Sequence, residues 1–483
     1  MTLLEIFPSL RGAMTPRMDP ALWPISTRHD HSGRVCIGDV SLEEIADQYG
    51  TPTYVVDEAD VRHRCRTYRE IFPDSEIVYA GKALMIRAMA TWVSDEGLGV
   101  DVCSAGELAI ALAAGVDPKR IILHGNAKSV SELRAAVNAG VGRIVLDSPS
   151  EAVRLASVCT HRQKVLIRVT PGIDIHGHKA VSTGVLDQKF GLPAFSEELE
   201  RTVSVVANAT HLQLIGLHCH LGSQITDPEL FRPAIETMIA QMDDIRRTHR
   251  IILTELDLGG GHGIAYVPGD AQLDLTRLAH VIDETLDDAC TRNRFPRPEI
   301  VLEPGRAIAA RAGVTLYRVQ NIKTISGGRT FVSVDGGMSD NPRVSLYDSH
   351  YDVELVNRHS TAPLQEVTVA GRHCESGDEI AVGASLPADL HEGDLLAVPC
   401  TGAYHHSMAS TYNSVGRPPV VAVLGGIARP LIRRESINDL LARGVGNGPR
   451  GRPSVSAYGD YRCRRCFAKS PVPQPTPRIA GNS

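Results

Sequence analysis

Residues 99–123 read GVDVCSAGELAIALAAGVDPKRIIL. An apolar run, Gly99-Val100-Asp101-Val102, gives way to a helical stretch from Gly106 to Leu112 that meets Gly115, and a second apolar run, Arg120-Ile121-Ile122-Leu123, follows. Glycine closes such a helix well because it takes the left-handed backbone of a C-terminal cap without a Cβ penalty. The unit repeats on either side. Strands are expected at Glu76–Tyr79, Arg143–Leu146, Val165–Arg168, Leu214–Leu217, Leu253–Leu258 and Glu299–Leu302, and a further helix runs from Ser131 to Val137 into Gly140. Near-continuously apolar strands separated by helices form a parallel sheet covered on its outer face, and eight of them suggest a (β/α)8 barrel. An open doubly wound sheet gives the same alternation. The polar and glycine clusters favour the barrel, because each falls directly after a strand, where barrels carry their active-site loops.

Beyond residue 310 short strands separated by Gly and Asp turns replace the helices: Thr315–Val319, Arg329–Val334, Gln365–Val369, Leu395–Pro399 and Pro419–Val423. This is the pattern of a second, all-β domain. The expected organisation is a flexible arm over 1–18, a segment 19–47, the barrel over 48–308, the β-domain over 309–445, and a disordered tail over 446–483 that is rich in Gly, Pro and Arg.

The chain has 483 residues with 50 basic and 56 acidic side chains, a formal charge of −6 that offers no footprint for nucleic acid or an anionic membrane. No apolar run approaches the roughly 20 residues of a membrane helix, and MTLLEIFPSLRG lacks the features of a signal peptide, so a cytoplasmic protein is expected. Ten cysteines scattered through so long a chain argue for reduced, mostly buried thiols. No metal is expected: strand alternation turns Cys219 away from His218 and His220, and Cys463-Arg464-Arg465-Cys466 has no second pair at zinc-site spacing.

Three clusters carry the chemistry. Lys82 follows Gly81 at the end of the first barrel strand, where desolvation would lower its pKa and free the amine to attack a carbonyl. Gly259-Gly260-Gly261 follows strand seven; without Cβ atoms, its backbone N–H groups can cradle a phosphate. Glu303-Pro304-Gly305-Arg306 follows strand eight and places a guanidinium at the rim where barrels often bind phosphate. A phosphate cradle, an amine and a carboxylate able to keep a pyridine nitrogen protonated together point to pyridoxal 5'-phosphate and to decarboxylation.

The strings YAGKAL, HCHLGSQI, LDLGGGHGIAY, EPGRAI, DGGMSDNPR, GRHCESGD and CTGAY, in this order between residues 79 and 404, resemble the diaminopimelate decarboxylases, fold-type III pyridoxal-phosphate enzymes of lysine biosynthesis. The resemblance implies an alanine-racemase-like fold, with the barrel joined to a β-domain that takes in the N-terminal segment. It also implies a homodimer with active sites at the interface. Lys82 resembles the lysine that carries the cofactor, His220 the imidazole stacked on its ring, and Glu303 the pyridinium partner. Ser223, Gly260, Gly261, Gly305, Arg306 and Tyr404 resemble the remaining cofactor contacts. Arg306, Arg343, Tyr347, Glu375 and Tyr404 resemble the substrate contacts, with Cys374 and Glu375 reaching in from the partner subunit and Cys374 a proton donor. The implied reaction is decarboxylation of meso-2,6-diaminopimelate to L-lysine; an ornithine- or arginine-type decarboxylase of the same fold and a non-catalytic regulator are the rivals.

Overall fold

The structure is a computed structural model that describes residues 18–173 and 188–445. The tail 446–483, with Cys463 and Cys466, and the expected arm apart from Met18 lie outside the described residues. The barrel and the β-domain both belong to one compact unit that ends at Ile437.

Eight parallel strands form the barrel: β1 Ser75–Ala80, β2 Gly99–Val102, β3 Ile121–Leu123, β4 Arg143–Leu146, β5 Gln163–Thr170, β6 Leu212–His218, β7 Glu255–Asp257 and β8 Glu299–Leu302. Each pairs with the next, β8 pairs with β1, and the sheet therefore closes. The helices between them end where the glycines said they would. Ser104 accepts from the Glu107 N–H at the start of Ala105–Ala113, and the helix Val130–Ala139 opens on a Ser129–Glu132 capping box and ends at left-handed Gly140. No helix among the described residues is long and apolar enough to cross a membrane.

Because side chains alternate along a strand, the barrel interior is read in layers. At the N-terminal end Arg143 bridges Glu76 (2.5 Å) and Glu255 (2.7 Å). Above it Val78, Ile122, Val145, Leu166, Ile215 and Val301 form a dry plug of their own. Two residues further along the same strands come Ala80, His124, Asp147, Arg168 and Glu303. Strand β6 would break the parity, since Ile215 and His218 are three apart, but its register against β5 shifts between Leu214 and Gly216, and this irregularity lets both point inward. Cys219 packs in the outer apolar core, away from both neighbouring histidines.

The β-domain sheet is built on β9 Gly313–Thr324, which pairs with β10 Thr330–Val334 over its last residues, with Leu395–Val398 over Thr315–Arg318, and with the strand Thr53–Asp57 over its first residues. That early strand lies inside the span 48–308 that the sequence gives to the barrel, and it also pairs in parallel with Val420–Leu424. Beyond β10 lie β11 Leu364–Ala370 and β12 Glu379–Pro387. Strand β12 escapes sequence reading because it is an edge strand with an irregular inside-outside pattern broken at Gly383.

Replacing Arg143 by Leu leaves Glu76 and Glu255 facing each other without their cation. Breaking such a pair costs about 3 kcal/mol, which urea unfolding of wild type and variant measures; a loss below about 0.5 kcal/mol would show that the bridge does not hold the barrel floor.

Candidate active site

The open C-terminal end of the barrel holds a cavity of about 290 Å³. Lys82 enters it from the 3-10 turn Gly81–Ala83 that follows β1. The β-domain fixes that turn: the Ala83 carbonyl accepts from the Tyr404 N–H (2.8 Å) and the Ser407 hydroxyl (3.1 Å). Tyr404 sits at φ 61, a left-handed backbone that turns its side chain back over the cavity. His220, Ser223, Gly260, Gly261, Glu303, Gly305, Arg306, Arg343 and Tyr347 line the same space, so eleven of the thirteen expected site residues, counting Lys82 and Tyr404, come together. Cys374 and Glu375 do not. They lie exposed in the hairpin loop between β11 and β12, outside the cavity.

The glycine loop is shaped by contact. A Cβ on Gly260 would stand 2.0 Å from the Glu303 carbonyl oxygen, and one on Gly261, at φ +90, 2.0 Å from that of Gly222. Only bare backbone fits there, which lets the loop pack directly against the Glu303 and Gly222 carbonyls at the edge of the cavity. The Gly260 N–H donates to His220 Nδ1 at 3.2 Å. An imidazole nitrogen that accepts is unprotonated, and burial followed by the nearby Lys82 ammonium holds His220 well below the usual histidine range.

Glu303 is the electrostatic centre. Its oxygens lie 2.7 Å from His124 Nε2 and 3.3 Å from His218 Nε2. Burial alone would raise its pKa, but the His124 charge and the hydrogen bonds of both imidazoles outweigh burial and hold it well below the usual carboxylate range. The neighbouring acids move the other way. Burial, with the Glu303 charge adding to it, pushes Asp101 up to about 6 and Asp257 well above its ordinary value. Of the three acids, Glu303 is the one held most firmly in its charged form. His124, His218, Asp257 and Glu303 bring four possible ligand atoms within 4.8 Å of one another, with both imidazoles in contact with the Glu303 carboxylate.

Lys82 departs from expectation. Desolvation lowers its pKa, but Tyr404, Asp101 and Glu303 outweigh it and the net shift is upward. The amine therefore stands as an ammonium until a ligand redistributes these charges.

Two guanidiniums close the cavity. Arg306 donates to the Ser223 hydroxyl at 2.6 Å and to the Tyr266 hydroxyl, and its carbon lies 4.9 Å from the Tyr404 ring centre. Arg343 donates to the Tyr351 hydroxyl at 3.0 Å and lies over Tyr347 at 5.1 Å and Tyr404 at 5.5 Å. They are 5% and 7% exposed, and among the described residues neither has a carboxylate partner. A buried cation without a counter-ion is costly, so the cavity is built to receive anionic groups. Pyridoxal phosphate fits these residues: an amine, a Cβ-free phosphate cradle beside Ser223 and an ionised acid face one space.

Asp101, His124, Arg168 and His218 also line the cavity and were not singled out as site residues from the sequence. A signal existed. Each is a polar residue at or just after the end of an apolar run, at the parity that points inward.

Comparison with known proteins agrees with this site. Residues 58–310 match the family model described as pyridoxal-dependent decarboxylase, pyridoxal binding domain. The chain is 49% identical to a diaminopimelate decarboxylase of Actinosynnema pretiosum subsp. auranticum, over 92% of this chain and 100% of that one. It is 46% identical to that of Mycobacterium tuberculosis, over 88% and 97%. A crystal structure of the diaminopimelate decarboxylase from M. jannaschii with L-lysine superposes with a TM-score of 0.82 at 28% identity, over 88% and 99%.

His262, next to the glycine loop, accepts from or donates to the Tyr68 hydroxyl at 2.7 Å, and burial pushes its pKa down to about 4. The unfolded chain binds that proton near pH 6.5, so this contribution to stability is complete above pH 6.5 and is lost as pH falls toward 4. Between pH 7 and 5 it amounts to about 2 kcal/mol. In urea titrations His262→Gln should flatten the pH dependence of unfolding by that amount; an unchanged slope contradicts a neutral, buried His262.

Proposed function

We propose a reaction on the premise that the chain belongs to the diaminopimelate decarboxylase family: it converts meso-2,6-diaminopimelate to L-lysine and CO2 with pyridoxal phosphate, the last step of lysine biosynthesis. The observation that carries the reading is the pair of buried guanidiniums, Arg306 and Arg343, without carboxylate partners over the cavity that holds Lys82 and Glu303.

Lys82 would hold the cofactor covalently, the loop Gly260–Gly261 with Ser223 its phosphate, and neutral His220 its ring face. Pyridoxal phosphate, when bound, supplies an electron sink for the negative charge left on the substrate Cα as CO2 departs. Glu303 would make the sink strong, because an acid kept ionised by His124 and His218 could accept a hydrogen bond from a protonated ring nitrogen. The substrate brings a distal carboxylate and ammonium that do not react. Arg343, with Tyr347 stacked on it and Arg306 nearby, binds the carboxylate by paired hydrogen bonds. Glu375 accepts from the ammonium, and Cys374 returns a proton to Cα.

Those last two roles require a second copy, since both residues lie outside their own chain's cavity. The working unit is accordingly a cytoplasmic homodimer with active sites at the interface, binding neither nucleic acid nor membrane. An ornithine- or arginine-type substrate lacks the distal carboxylate and would leave Arg343 buried without its partner, a penalty that discriminates strongly.

The test is CO2 release from meso-diaminopimelate, ornithine and arginine in parallel, with and without added pyridoxal phosphate. Only the first substrate should turn over, and only with cofactor. Arg343→Leu should lower kcat/KM for it by about 100-fold. Turnover of ornithine at a comparable rate, or an Arg343→Leu enzyme with unchanged kcat/KM, contradicts the assignment.

A further inference from the structure

Two loops of the β-domain carry the substrate contacts. The loop 335–342 leads into the short helix Arg343–Tyr347, which begins with Arg343 and ends with Tyr347. The hairpin loop 371–378 carries Cys374 and Glu375. In the proposed function, on which this inference rests, the first loop serves its own chain's cavity and the second serves the cavity of the other copy.

One side chain joins them. Asp378 is 4% exposed. Its Oδ1 accepts from the Met338 N–H at 2.6 Å, in the first loop, and its Oδ2 accepts from the His373 N–H at 2.7 Å, in the second. Both loops are cut to admit it: a Cβ on Gly337 would lie 2.4 Å from Oδ1, and one on Gly371 2.1 Å from Oδ2. The seam continues on either side, with the Arg372 N–H donating to the Gly336 carbonyl at 2.9 Å and His373 Nε2 lying 2.9 Å from the Ser339 hydroxyl. The Cys374 N–H is held separately, by Asn413 Oδ1 at 3.1 Å. Hydrogen bonds from N–H groups to an ionised carboxylate are about twice as strong as neutral ones. An acid serving one loop would spend both oxygens there; this one gives one oxygen to each.

We propose that Asp378 is a positioning residue that locks the Arg343 loop to the Cys374–Glu375 loop, so that each chain's Asp378 sets the geometry of both cavities of a dimer. Asp378→Asn is nearly isosteric and turns an amide –NH2 toward one of the two backbone donors, which removes one bond.

Mixed dimers, purified through two different tags, separate the two effects. As a control, a Lys82→Ala chain paired with a Cys374→Ala chain should regain activity in one complete cavity; no activity there overturns the shared-site reading and this proposal with it. With that pair active, an Asp378→Asn chain joined to a Lys82→Ala chain leaves one working cavity whose own Arg343 loop is loosened. Its KM for meso-diaminopimelate should rise about tenfold, the worth of one such bond. A wild-type chain joined to a Lys82→Ala/Asp378→Asn chain leaves one working cavity that receives a loosened Cys374–Glu375 loop, and its kcat should fall about tenfold. Affinity for pyridoxal phosphate should stay unchanged in both. An effect in one pairing alone, or in neither, overturns the proposal while leaving the catalytic reading intact. Gly371→Ala, which displaces the same carboxylate, replaces Asp378→Asn in both pairings if the latter does not fold. Hydrogen exchange on the wild-type enzyme tests the lock without any variant: the Met338 and His373 amides should show equal protection, and a difference above about tenfold contradicts it.

Discussion

Glu303 has to carry a negative charge where burial opposes it, and the upper layer of the barrel is arranged around that requirement. His124 and His218 approach its two oxygens from β3 and β6. The acids on β2 and β7 hold their charge less firmly, because burial and the charge of Glu303 itself raise both. Reactivity depends on this arrangement, because a carboxylate of ordinary basicity in a low-dielectric cavity would take up a proton and lose its hold on a pyridinium.

The closed sheet makes such a cluster possible. Eight strands bring residues far apart in sequence to one level, and side-chain parity then decides which of them meet. The same parity that stacks Val78, Ile122, Val145, Leu166 and Val301 into a dry plug delivers His124, Arg168 and Glu303 two residues later. The apolar plug excludes water beneath the cavity, which strengthens every charge interaction above it. The β-domain closes the top through Tyr404, whose N–H holds the Lys82 turn, and through Arg343, which it keeps buried against Tyr347 and Tyr404.

Much of this was legible in the sequence, for identifiable reasons. Apolar runs and glycine caps are local signals, and they placed all eight barrel strands and the helix ends at Gly115 and Gly140. Lys82, Gly260, Gly261, Glu303 and Arg306 were visible because each is an unusual residue directly after a strand. Asp101, His124 and Arg168 were harder. Each belongs to or adjoins an ordinary apolar run, and although the parity of its own run turns it inward, the groups it meets there come from other strands, which no local pattern encodes. The charge state of Lys82 reversed for a related reason: its apolar sequence neighbours suggested a lowered pKa, whereas the groups that act on it, Tyr404, Asp101 and Glu303, come from three other parts of the chain. Nothing local marks Asp378 either, because its two partners lie on loops about 35 residues apart.

The central claim is that one amine, that of Lys82, shares its cavity with an ionised Glu303 and holds an aldehyde cofactor there. The most direct test is to treat the pyridoxal-phosphate-loaded enzyme with borohydride, which fixes the cofactor to the amine that carries it, and to map the modified peptide by mass spectrometry. The account predicts a single stoichiometric pyridoxyl group on Lys82. Modification spread over surface lysines, or centred on another lysine such as Lys128 or Lys189, would contradict it.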